Sequence, residues 1–173
     1  MAIMDVKIYS NSTIETLAET VLAHTGFSNI CGIDIIQLAN VLGLNVYSKG
    51  LEGSSGYIKY EDKNYNIYVN EFDSRNRRRF TIAHELGHFL LHRSLIEQEG
   101  STVLYRTIMT NRDIIEIQAN RCAAALLMPK DLVKQAFNEA NGASFEKLII
   151  LANKFNVSVD AMYTRLSILG LLE

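Results

Sequence analysis

Along the chain the spacing of apolar positions changes several times, and each change marks an element. In NSTIETLAETVLAHTGF, residues Ile14, Leu17, Ala18, Val21 and Leu22 recur at the i, i+3, i+4, i+7 spacing of one helix face, and Gly26 is a natural stop. CGIDIIQLANVLGLNVYS reads as a short helix over Ile33–Leu42, a turn at Gly43 and a strand starting at Leu44–Tyr47. KGLEGSSG is a loop. YIKYEDKNYNIYVN, with aromatic and β-branched residues in both arms and a polar turn at Glu61–Asn64, predicts a hairpin. Asp73 or Ser74 then caps the next helix, RRRFTIAHELGHFLLH.

From Ser94 to Asn111 the pattern is mixed and predicts a loop. DIIEIQANRCAAALLM is a helix ended by Pro129, which can open the next one, KDLVKQAFNEA. Two more helices, SFEKLIILANKF and SVDAMYTRLSILG, close the chain, with Ser144 and Ser158 as expected caps and Gly170 as the stop. The expected fold is α+β: a small antiparallel sheet of about three strands with helices packed on it. Residues 1–129 form the main domain and 130–173 a C-terminal helical subdomain packed against it.

Composition narrows the class. At 173 residues and 48% hydrophobic content the chain can bury a core, and wholesale disorder is excluded. A net charge of -2 supplies no global field for nucleic acid or an anionic membrane. The first twenty residues lack a basic stretch followed by an apolar one, and no apolar run approaches the ~20 residues that span a bilayer. The expectation is a cytoplasmic protein with Cys31 and Cys122 reduced.

The chemistry lies in HELGH. His84 and His88, four apart on a helix, point the same way, and two imidazoles so placed can meet one Zn²⁺. Glu85, turned about 100° from His84, need not be a ligand and can instead lean over the metal's open position, where it could take a proton from bound water. A buried apolar helix would not otherwise carry His, Glu and His together. Gly87 leaves room for another element beside the second histidine. A third ligand is required. His92 lies about 12 Å along the axis from His84 and reads as a hydrogen-bonded structural histidine, while His24 reads as a surface one. Glu116, a carboxylate on an otherwise apolar helix, is the better candidate. Asn120, four residues on, can accept the outer N–H of a metal-bound histidine.

RRRFTIAHELGHFLLH followed by EIQANRCAAALLMP, with IYVN before and LANKFNVSVDAMYTRLSILGLL after, resembles the ImmA/IrrE family of zinc metallopeptidases over about Ile33 to Leu171. The resemblance implies a gluzincin-like site, with His84, His88 and Glu116 on zinc, Glu85 as base and Asn120 supporting a ligand. Gln118 stands where many relatives carry a second acid, which removes the main rival to Glu116. The resemblance also implies a protein substrate, a helix-turn-helix repressor, in a prophage, mobile-element or toxin–antitoxin-like setting.

Three features point elsewhere. Arg75–Arg79, RNRRR, reads as the solvated opening of a helix rather than a phosphate patch. The C-terminal helices resemble a helix-turn-helix, with Ala152 in the packed first helix and Asn156 in the turn, but Val159–Leu169 offers one basic residue, Arg165. Nucleic-acid binding is therefore not favoured. The alternative is a DNA-binding or protein-interaction regulator with structural zinc. Within the peptidase reading, Tyr105 is a candidate oxyanion donor, and a strand near Tyr57–Tyr60 a candidate edge for substrate.

Overall fold

The computed structural model describes residues 7–102 and 112–172. Among them are seven helices and three strands: α1 (Asn11–Thr25), α2 (Ile35–Val41), β1 (Leu44–Lys49), β2 (Gly56–Glu61), β3 (Asn64–Asn70), α3 (Arg75–Glu99), α4 (Arg112–Leu127), α5 (Lys130–Glu139), α6 (Ser144–Phe155) and α7 (Val159–Ile168). The fold is α+β.

Local chemistry sets most boundaries where the sequence predicts them. Ser10, Asp34, Ser74 and Ser158 each accept backbone N–H groups at a helix start, and Gly26 closes α1 in the left-handed conformation. At α6 the cap is Ala143, not Ser144, and Glu146 reaches back to its N–H at 3.0 Å. Asn156 ends α6 with φ 53° and ψ 47°, the left-handed geometry expected of it.

The sheet order is β1-β3-β2, and the sheet is mixed rather than antiparallel: β2 pairs antiparallel with β3, but β1 runs parallel to it. The loop between β1 and β2 steps over the end of the central strand. Asn70, the last residue of β3, holds that loop, donating to Leu51 O at 3.0 Å and Ser54 O at 3.2 Å. Alternating residues Leu44, Ile58, Ile67 and Val69 face the helices and are buried.

A second difference lies after the histidine helix. Ser94–Glu99, expected as loop, is helical; α3 kinks at His92, where φ is -128°, and resumes because Leu95 and Ile96 have core to reach. Gly100 then turns the chain back along β2, with Tyr60 N–H donating to Gly100 O at 2.8 Å and Ile58 N–H to Thr102 Oγ1 at 3.2 Å. Part of the β2 edge expected to accept substrate is therefore already paired. No described helix is long and apolar enough to cross a membrane.

The C-terminal helices are tied to the rest by buried arginines. Arg165, 2% exposed, forms a bidentate ion pair with Glu15 of α1 and donates from Nε to Met128 O at 2.9 Å. Arg79 donates to Asn156 O at 3.0 Å and to Ile33 O at 2.8 Å.

The most extensive packing joins α3 to α4. At Gly87 the two backbones meet: a Cβ there would stand 2.8 Å from Ala119 O and 3.1 Å from its Cα. Glycine to alanine in a helix ordinarily gains about 1 kcal/mol. Here the added methyl has backbone in front of it, so Gly87→Ala should destabilise by about 1–3 kcal/mol. Urea unfolding of the metal-free protein measures this, and a gain in stability would show that the backbones are not in contact.

Candidate metal centre

The close approach at Gly87 brings side chains of α3 and α4 to one point. His84 and His88 project from α3 and Glu116 from α4, and their ligand-capable atoms all lie within 4.8 Å of one another. His84 Nε2 is 3.0 Å from His88 Nε2 and 3.2 Å from Glu116 Oε2; His88 Nε2 is 3.5 Å from Glu116 Oε1. Two ligands held about 2.0–2.1 Å from a tetrahedral ion stand about 3.3 Å apart. The two imidazole nitrogens stand near that edge at 3.0 Å, each has one oxygen of Glu116 within 3.5 Å, and the His₂Glu donor set suits zinc.

Hydrogen bonds around the ring decide which nitrogens carry protons. Asn120 Oδ1, an acceptor, lies 2.9 Å from His84 Nδ1, so that nitrogen carries the proton and Nε2 presents a lone pair. His88 is held through a longer chain. Gln118 Oε1 accepts from His92 Nε2 at 2.9 Å, which leaves His92 Nδ1 as an acceptor for His88 Nδ1–H at 3.2 Å. The Gln118 amide in turn donates to Tyr9 O at 3.5 Å. Both Nε2 atoms are therefore bare toward the same point. Burial favours the same state: desolvation pulls the His88 pKa below the ordinary imidazole value, and that of His92 down to about 4.

Glu85 is 1% exposed and receives a hydrogen bond from Thr102 Oγ1 at 3.3 Å. With His84, Glu116 and Asn120 it lines a cleft of about 440 Å³ that Ser54 to Gly56 and Arg77 also line. A carboxylate beside the convergent ligand atoms, opening on a cleft, is the arrangement that metal-assisted hydrolysis needs.

All five residues singled out in the sequence thus lie together. His92 bonds His88 and lies outside the ligand cluster; His24 is exposed and bonds Thr20 O. Tyr105 lies outside the described residues. Two contributors escape sequence reading: Thr102, in a stretch without periodicity, and Gln118, whose partner sits across a kink on another helix.

Comparisons with known proteins place the chain in a family. Metallopeptidase ImmA of Bacillus subtilis (strain 168) is 26% identical over 167 residues, covering 95% of this chain and 90% of that protein. An uncharacterized immunity region protein 2 of Bacillus phage phi105 is 30% identical over 103 residues, spanning 59% of this chain and 63% of that protein. In structure, a Mycobacterium tuberculosis transcriptional regulator matches with TM-score 0.62 over 89% of this chain and 46% of that one, at 20% identity, a likeness of fold. The sequence model of the IrrE N-terminal-like domain, Peptidase_M78, matches residues 39–167, and the chain belongs to that family.

Proposed function

We propose that the protein is a zinc-dependent endopeptidase that cleaves a helix-turn-helix repressor and so lifts repression. The observation that carries this reading is the convergence of two bare imidazole nitrogens and the Glu116 carboxylate beside Glu85 on the floor of a cleft. In this reading His84, His88 and Glu116 hold the ion. When bound, zinc supplies Lewis-acid polarisation of the scissile carbonyl and of the attacking water.

The chain's own residues do the rest. Glu85 takes the proton from the attacking water and delivers it to the leaving amine. Thr102 orients that carboxylate through its hydroxyl. Asn120 keeps the proton of His84 on the outer nitrogen, and the His92–Gln118 pair does the same for His88.

The substrate class follows from the family resemblance, and a similar protein from a phage immunity region supports it. Residues 130–173 serve as a helical subdomain that docks protein rather than DNA: Arg165, the basic residue of α7, is buried on Glu15 and cannot reach a phosphate. The setting is cytoplasmic, in keeping with free thiols at Cys31 and Cys122.

Three substitutions test the assignment. Glu116→Ala should abolish tight binding of about one zinc per chain; unchanged stoichiometry in metal analysis removes Glu116 from the site. Glu85→Gln should keep fold and metal yet slow cleavage of a repressor encoded beside the protein's own gene by about 10²–10⁴-fold. Cleavage at the parental rate would mean that another group is the base. His92→Ala should weaken zinc affinity by about 10–100-fold in a competition titration with a chelator, and an unchanged affinity would reduce His92 to core filling.

A further inference from the structure

The metal cleft uses one face of α3. The opposite face carries Arg75, Arg78, Arg79 and Ile82, since residues three, four and seven apart share a side of a helix. These four side chains line a second cleft, of about 400 Å³, between α2, β1 and the first turns of α3. Its other wall is apolar: Ile35, Val46 and Val69.

The charge here is poorly compensated. Of the arginines that open α3, Arg77 is the one with a carboxylate in reach, 3.9 Å from Asp73, and it belongs to the metal cleft. Among the described residues, no carboxylate pairs with Arg75, Arg78 or Arg79 within 4.0 Å. Asp34 also lines the cleft, but its Oδ1 is occupied capping α2, accepting from Ile36 N at 3.0 Å and Gln37 N at 3.1 Å.

Arg79 makes the arrangement unlike a solvated helix end. It is 9% exposed, and its Nε and Nη1 are bonded to neutral carbonyls while Nη2 is buried with no hydrogen-bond partner among the described residues. A buried guanidinium whose hydrogen bonds go only to neutral carbonyls is costly. Desolvation, and then the neighbouring Arg75 charge, lower its pKa, and the charge of Asp34 opposes them. The N-terminal end of α3 adds positive potential.

We propose that this cleft is a binding site for a small molecule carrying a phosphate group, separate from the metal centre. The phosphate sits between Arg75 and Arg78, where planar guanidiniums match its oxygens, with the buried Arg79 adding positive charge behind them, and the rest of the ligand lies on the wall of Ile35, Val46 and Val69. The concave shape and the volume suit a small molecule rather than the backbone of a duplex. A ligand seated there touches α2, β1 and the helix that carries His84 and His88, so its occupancy bears on the metal helix from behind.

The test is a titration of the full-length, metal-loaded protein with inorganic phosphate, read by amide chemical shifts of Gly32, Ile36 and Ser48. We expect saturable shifts at about millimolar phosphate. In the Arg75→Gln/Arg78→Gln double variant the affinity should fall at least about tenfold, the loss of charge-assisted hydrogen bonds. Arg121→Gln, which removes a charge that does not line the cleft, should leave it unchanged. Both substituted arginines avoid the carbonyl contacts of Arg79, so the double variant should fold. No saturable shift, or equal affinity in the double variant, overturns the site. Acetate competing as well as phosphate overturns the phosphate assignment in favour of a carboxylate. Binding of duplex DNA with no response to phosphate overturns the small-molecule reading.

Discussion

One contact governs the geometry of this molecule: the backbone of α3 lying against the backbone of α4 at Gly87 and Ala119. The candidate metal ligands come from both helices, and imidazole and carboxylate side chains are short. A methyl's width of extra separation would carry Glu116 out of reach of the two Nε2 atoms. The small side chains around the contact, Ala119, Cys122 and Ala123, are all fully buried and keep the approach close further along. The glycine that weakens α3 as a helix is thus the residue that lets α3 act as half of a site.

The proton positions depend on the same packing. Asn120 and Gln118 lie on α4, two residues apart, and reach opposite ends of the histidine cluster. Each fixes one tautomer, Asn120 directly and Gln118 through His92. A carboxylate at position 118 would be an anion in a pocket where the residue is 2% exposed. The amide accepts the same hydrogen bond without a charge to bury.

Much of this is written in the sequence because it follows from helical spacing. His84, Glu85 and His88 are fixed relative to one another by 100° steps, and Glu116 stands out as a carboxylate on an apolar face. Elements whose identity is local, such as the hairpin turn and the Ser74 and Ser158 caps, are legible for the same reason. What the sequence conceals depends on distant partners. A period of two marks β1 as a strand but carries no information about direction, and its parallel pairing with β3 arises from a loop that crosses the sheet end. The kink at His92 and the helical continuation to buried Leu95 and Ile96 cannot be read from pattern, and the spacing that makes His92 a hydrogen-bonded structural histidine does not name its partner Gln118. The arginines of RNRRR look alike in the sequence, yet one ends up buried, one half-buried and two exposed.

The ion pair between Glu15 and Arg165 spans a separation of 150 residues. It joins α1 to α7, so it cannot form until α7 has been made. During synthesis α1 emerges before α4, with its buried face, Ile14, Ala18 and Leu22, waiting for that helix. A chain terminated before α7 would leave Glu15 without its guanidinium and Met128 O without its donor, although every residue of the candidate metal centre had been synthesised. Synthesis of α7 is therefore needed to lock a frame on which α3 and α4 already carry the candidate metal-site residues, and a product cut short before α7 would hold them on an unlocked frame.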